Sequence, residues 1–334
     1  MLKNLRISFA LVAIVASTAS FAQQDPQFSM NMHNKLYVNP AFAGMNDGIC
    51  AYTIGRQQWV GFEGRPETYL FGAHGTFLIP GIDLRSGGGV TVLGDGLGQM
   101  HFTGVKGMYS AHIPLNIIGS DPGYLGVGLS AGMLQFGVGN NWRPSDPHWT
   151  DPTIPDQGFQ ATKFDMDAGI FYQTEKLYFG ASMTHINGAK FTADGPSIAA
   201  GEPNWNTSFD MQSHLFVTGG YDFYLSNPMY VIKPSIFLKS DLVTAQIDVN
   251  CLLEYNNFVW GGLTYRYIDA VVAMAGVNYS PPIVPGGFKF GYAYDVTTNQ
   301  LTAGSNGSHE IFVQYCLKLK KKAPVQKHRS VRFL

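Results

Sequence analysis

Few residues in this sequence have the types and spacing to do chemistry, and each candidate lacks the surroundings that its chemistry needs. Gly128-Leu129-Ser130-Ala131-Gly132 has the spacing of a nucleophile elbow, in which a sharp turn between strand and helix thrusts the serine hydroxyl outward. Here the five residues sit inside a glycine-rich apolar run with no helix signal behind it, so the match is read as chance. Gly126, Gly128 and Ala131 imitate a dinucleotide fingerprint without the βαβ unit it requires. Asp146, Asp151 and Asp156 recur at intervals of five and could offer oxygens to calcium, but the compact spacing of a calcium loop is missing and a polar, turn-rich surface is expected. The nine histidines include no HxH or HxxxH pair, and His74, His101 and His112 fall within apparent strands. No catalytic, cofactor-binding or metal-ligating residue is assigned, and an enzyme is not expected.

Charges that alternate with apolar residues are more informative. Asp165 and Asp167 alternate with Phe164, Met166 and Ala168, and Asp248 and Glu254 lie on one parity of the run 245–255. Lys289 and Asp295 alternate with Phe288, Phe290, Tyr292 and Tyr294, and Lys318 closes the last such run. Period two means a strand with one apolar and one wet face. The wet-face charges could line a selective channel or pair with one another to fill a narrow barrel, and the structural role is favoured.

Reading such runs in order gives fourteen strands: 48–60, 66–79, 87–97, 100–112, 123–138, 163–173, 176–186, 211–223, 229–240, 243–255, 257–267, 270–280, 287–296 and 308–319. Only 13% of residues are charged, against roughly 25% in ordinary globular chains, while 39 glycines, 17 tyrosines and 23 phenylalanines accompany the shortage. An all-β, transmembrane antiparallel β-barrel explains both facts, because every second side chain can face lipid. The first residues fit: Lys3 and Arg6 precede an apolar run and a small-residue ending at Ala22, so 1–22 read as a cleaved signal peptide. The expected organisation is a periplasmic N-terminal segment over 23–47, an outer-membrane barrel over 48–319 and a basic periplasmic tail over 320–334. A net charge of −1 gives no sign of nucleic acid as a partner.

Connection lengths agree with the strand count. With both termini periplasmic, the long segments 139–162, 187–210 and 297–307 all fall on outward connections, whereas the tight turns Thr174-Glu175 and Asn256-Asn257 fall on inward ones. The outward loops carry Trp142, Trp149 and Trp205 among prolines, which suits either gripping a partner or folding inward over the lumen. Cys50 opens the first strand and Cys316 lies in the last, but their alternation parity reads as mismatched, so free thiols are expected.

The start of the mature chain reads Gln24-Asp25-Pro26-Gln27-Phe28-Ser29-Met30, then Asn34, Tyr37 and Asn39-Pro40-Ala41-Phe42-Ala43-Gly44. Past the first strand comes Arg56-Gln57-Gln58-Trp59-Val60-Gly61-Phe62-Glu63-Gly64, with Pro66 and Thr68 behind it. Over residues 23–80 these elements resemble the PorP/SprF family of type IX secretion system membrane proteins from Bacteroidetes. Arg65 departs from the small residue common before the proline, as does the basic tail. The resemblance implies a non-enzymatic outer-membrane component that supports export or surface anchoring of large adhesins through their C-terminal domains, in systems that include gliding motility. It also implies work with a periplasmic ring or peptidoglycan-linked components. The alternative is an outer-membrane porin or transporter of small, apolar molecules, and a lipid hydrolase has no convincing site.

In physical terms, Asn39, Pro40, Phe42 and Gly44 suggest a fixed turn leading into strand one, from a segment that could plug the lumen or dock on a partner. Trp59, beside Gly61 and Phe62, suits an interfacial anchor. Arg56 cannot face lipid cheaply, so it should point into the lumen and meet a carboxylate or the 61–64 loop.

Overall fold

A strand that alternates apolar and polar residues can show one face to lipid and the other to an interior, and closing the sheet removes the unpaired edges a bilayer would not tolerate. The computed structural model describes residues 25–81, 84–117, 122–139, 158–195 and 205–318. Its strands are β1 (Gly48–Gln57), β2 (Glu67–Ile79), β3 (Leu84–Leu97), β4 (Met100–Pro114), β5 (Tyr124–Val138), β6 (Phe159–Gln173), β7 (Leu177–Thr184), β8 (Lys190–Gly195) and β9 (Trp205–Asp210). They continue as β10 (His214–Tyr221), β11 (Phe223–Tyr224), β12 (Tyr230–Ser240), β13 (Ala245–Tyr255), β14 (Val259–Arg266), β15 (Ala270–Tyr279), β16 (Gly287–Thr297) and β17 (Ser308–Lys318). Apart from the β8–β9 hairpin and the two-residue β11, these form a closed antiparallel barrel of fourteen strands. The seam joins β1 to β17, from Gly48↔Lys318 to Gln57↔His309.

Along β13, Asp248, Asn250, Leu252 and Glu254 are buried, while Val249, Leu253 and Tyr255 between them are exposed. The same alternation sends Tyr69, Phe71, Leu129, Ile170, Leu263, Tyr265 and Ile311 outward around the wall. Monomeric soluble proteins rarely expose so much contiguous apolar surface, whereas lipid requires it. No helix among the described residues is long and apolar enough to cross a membrane. The protein is a transmembrane β-barrel.

The termini of the strand run and the turns 174–176 and 256–258 lie at one end, here the short-turn end. The connections 139–158, 185–213 and 298–307 lie at the other, the long-loop end.

Two features depart from the sequence reading, and a third takes one of the two options it left open. The stretch read as a loop over 187–210 contains the hairpin β8–β9, paired from Lys190↔Asp210 to Gly195↔Trp205. Phe191 and Phe209 of this hairpin pack with Phe102, Phe136 and Phe159, above the point where β7 leaves β6. Six-residue strands without sustained alternation left no signal of it.

Cys50 and Cys316, expected as free thiols, form a disulfide. The seam register sets them directly opposite, with Cα atoms 4.1 Å apart and both on the inward parity shared by Ile54 and Phe312. The remaining cysteine, Cys251, is exposed.

Finally, residues 25–47, expected as a periplasmic segment able to plug the lumen or dock on a partner, run inside the barrel. Their Met30, Leu36, Ala41 and Ala43 are fully buried against lumen-facing Ile54, Leu70, Phe171, Trp260 and Phe312.

Candidate functional site

The segment inside the barrel is the centre of the molecule's polar chemistry. Asp25 lies beside His185, just past the long-loop end of β7, and from there the chain descends through short helical turns at Asn31–His33 and Lys35–Val38. It then crosses the lumen from the β6–β7 wall to the β2–β3 wall and enters β1 at the short-turn end.

Arg56 points into the lumen, as its cost in lipid requires. It is 2% exposed, 2.9 Å from Asp295 and 3.3 Å from Glu310, and it donates to Ser29 Oγ at 2.5 Å. Glu310 in turn accepts from the backbone N–H of Ser29 and of Met30, at 2.7 and 2.8 Å. Arg266 extends the network, bridging Asp248, Asp295 and the Phe28 carbonyl at 3.3, 3.0 and 3.1 Å. Among the wet-face charges expected to pair, Asp165, Asp167, Asp248 and Glu254 do so, with Lys106, Arg266 and Lys233, whereas Lys289 has no ion pair among the described residues. Arg266 and Glu310 were not singled out from the sequence, although both lie on inward parities; a search for inward charges of opposite sign to Arg56 would have found Glu310.

The Asn39-to-Gly44 motif is the second anchor. Asn39 Oδ1 accepts from Ala41 N, capping the turn Pro40–Phe42, while its Nδ2 donates to the carbonyls of Ile170 and Ala181, tying β6 to β7. Ser110 donates to the Ala41 carbonyl, His112 Nε2 to that of Ala43, and Gly44 N to His74 Nδ1. Phe42 packs on Phe171 and His74. Glycines in the wall make this approach possible: a Cβ on Gly87 would lie 1.8 Å from the Ala43 carbonyl oxygen, and one on Gly128 2.3 Å from Ala41 N. Gly44 itself takes a φ of +74° that L side chains rarely adopt. The apparent nucleophile elbow therefore belongs to a docking track. Ser130 sits mid-strand and donates to Asp167 rather than to a histidine.

At the long-loop end of the lumen, Asp165, Asp167 and His185 bring their donor atoms within 4.8 Å of one another, the density of a metal site. Lys106 already fills that place, with Nζ 2.6 Å from Asp165 and 2.7 Å from Asp167. His185 meets Asp165 through Nδ1 at 2.8 Å and Asp25 through Nε2 at 2.9 Å, so both ring nitrogens must carry protons to donate. Burial alone would lower its pKa, but the Asp25 charge and the bonds to Asp165 and Asp25 raise it to about 9. Because that lies above the ordinary 6.5, the stabilisation is complete below about pH 6.5 and is lost as pH rises through about 9. Amide exchange at Gln27 and Phe28 should accelerate across that window. In a His185→Gln variant the acceleration should disappear, and exchange there that ignores pH beyond its chemical baseline would refute the clamp.

The remaining predicted site residues that the structure describes lie at the long-loop end. Trp59 takes a φ of +51° and its N–H donates to Ser308 Oγ, while Val60 exchanges backbone bonds with Asn306 and Gly307. Gly61, at φ +115°, stands where a Cβ would meet the Gly304 carbonyl at 2.8 Å, and the Phe62 ring covers Gly304. The 58–66 loop is thus braced on the 298–307 loop over the seam. Trp205 opens β9 of the hairpin, and Trp142 and Trp149 fall outside the described residues, as do the basic tail from 319 and Asp146, Asp151 and Asp156.

The sequence matches the family described as type IX secretion system membrane protein PorP/SprF over residues 20–315. No curated protein matches it. Among solved structures, the monoaromatic hydrocarbon channel CymD superposes with a TM-score of 0.52 at 14% identity, covering 86% of this chain and 93% of that one. A FadL homologue of Pseudomonas aeruginosa gives 0.50 at 12% identity, covering 84% and 93%. At such identities the likeness is one of fold.

Proposed function

The chain belongs to the PorP/SprF family of type IX secretion system membrane proteins, and from that premise we propose that it is a closed scaffold of that machine, holding the C-terminal domain of a secreted adhesin at its long-loop end. The observation that carries this reading is the occupied lumen. A barrel whose interior is filled by its own residues 25–47, tied by Arg56, Arg266 and His185 to the wall, does its work at its rims. With termini periplasmic, as is usual for such barrels, the long-loop end faces outward and the short-turn end faces the periplasmic ring or peptidoglycan-linked components.

Rigidity at the outward rim supports the assignment. The β8–β9 hairpin stands on the Phe102–Phe136–Phe191–Phe209 cluster, and the Trp59–Phe62 loop is braced on its neighbour. Preorganised surfaces lose little freedom on binding, and aromatic anchors supply most of the energy. Trp142, Trp149 and Trp205 are proposed as those anchors.

Met211 N donates to the Ala189 carbonyl at 2.9 Å, so the ends of the hairpin meet and residues 190–210 can be excised as a unit. Excision of 190–210 together with 143–157 should leave the barrel inserted and lower surface-retained adhesin by more than about tenfold, the effect of losing about 2 kcal/mol of anchor contact. Retention unchanged with both gone would refute the loop assignment and leave the short-turn rim as the binding surface. A steady conductance of the pure protein in bilayers would instead favour passage of small apolar molecules, the activity named for CymD.

A further inference from the structure

At the short-turn end, between the descending segment and the wall, lies a cavity of about 200 Å3. Its lining includes Lys35, Lys233, Lys289, His33 and Trp260; the turn residues Glu175 and Lys176 line it too, with Glu175 exposed, and its less exposed carboxylates are Asp222 and Glu254. Both carboxylates are taken by one lysine: Lys233 Nζ stands 3.3 Å from Asp222 and 3.3 Å from Glu254. Neither Lys35 nor Lys289 has an ion pair among the described residues. The Lys35 ammonium is met by ring faces instead, 3.3 Å from the centroid of Tyr178 and under 6 Å from Phe42 and Phe171.

A second observation points the same way. Trp260 is 2% exposed and its indole Nε1 has no acceptor, which is rare for a buried N–H. Its ring is held in place by His33 at 5.0 Å and lies over Gly276 and Gly291. The cavity is thus lined by two lysines without carboxylate partners and by Trp260, whose buried N–H is orphaned. A donor set in excess of acceptors, in a recess open at one rim, is the complement of an oxyanion.

We propose that this cavity binds a small oxyanion, a carboxylate or phosphate group, held by Lys35, Lys289 and the indole N–H of Trp260. Lys233 ties down Asp222 and Glu254 and offsets one of their two charges, so that with Lys35 and Lys289 the group keeps one positive charge in excess. The site is independent of the long-loop reading, being at the opposite end of the barrel and built without residues of the long loops.

The test uses the full-length protein in detergent, labelled with 15N-tryptophan. The indole signal of Trp260, identified by its loss in Trp260→Phe, is followed while phosphate or acetate replaces chloride at constant ionic strength. A saturable shift is expected, weakened about tenfold in Lys289→Met, the size of one lost charge-assisted hydrogen bond. A response to phosphate alone assigns a phosphate-bearing ligand, and to acetate alone a carboxylate. No saturable shift with either anion, or a shift unchanged in Lys289→Met, overturns the proposal. If that barrel does not assemble, Lys35→Met serves as the same arm.

Discussion

Replacing Arg56 with alanine is expected to cost the barrel about 3–5 kcal/mol, the usual penalty for removing one partner of a buried charge network. Asp295 and Glu310 are 1% and 0% exposed and share this guanidinium, so its removal strands two carboxylates in the lumen. The loss is not total, since Asp295 keeps Arg266 at 3.0 Å and Glu310 keeps two backbone donors. Those donors belong to Ser29 and Met30, however, so the damage spreads to the docking of the internal segment. Arg56→Lys should recover little, because a point charge cannot fork between two acceptors as a planar guanidinium does. The measurement is the urea midpoint at which the folded, heat-modifiable form is lost. An Arg56→Ala barrel that unfolds with the wild type would sink the assignment. If the network is real, Arg56→Met with Glu310→Gln should also lose less than the two single changes summed.

Arg56 shows how much the sequence made legible. A lone charge in an otherwise uncharged strand had to turn inward, and that inference needed only period two and the cost of charge in lipid. The fourteen strands were readable for the same reason, because lipid and lumen impose opposite chemistry on alternate residues over ten or more positions. What has no period left no such trace. Residues 25–47 fold as isolated turns, so their place in the lumen could be offered only as one of two options.

Its marks are split between distant segments: Asn39 to Gly44 in one, and Gly87, Gly126 and Gly128 in strands that are rich in glycine throughout. The disulfide failed differently. Cys50 and Cys316 are matched only by the register of the closing seam, which depends on how the first strand meets the last and is not a property of either run alone. His185 was read as part of the strand 176–186, whereas β7 ends at Thr184, and it becomes conspicuous only once Asp25 and Asp165 are seen on its two ring nitrogens.

The glycine track yields the other large effect. A Gly87→Val, Gly128→Val double variant should insert as a barrel yet fail to seat residues 40–44, changing a closed lumen into one that conducts. Valine suits a strand, so the wall itself tolerates the change. The internal segment does not, because the new Cβ atoms would lie 1.8 Å from the Ala43 carbonyl oxygen and 2.3 Å from Ala41 N, both backbone atoms with no rotamer to yield. Anchors at Asp25 and Ser29 remain, so the crossing 36–47 should be the part that detaches, and protease added in detergent should cut there first. Gly94→Val is the control on the same strand β3, since a Cβ there meets nothing within 4 Å. In planar bilayers the wild type and Gly94→Val should show no steady current and the double variant discrete open steps. A double variant that inserts, resists protease at 36–47 and stays silent would mean that something other than this docked turn keeps the lumen shut.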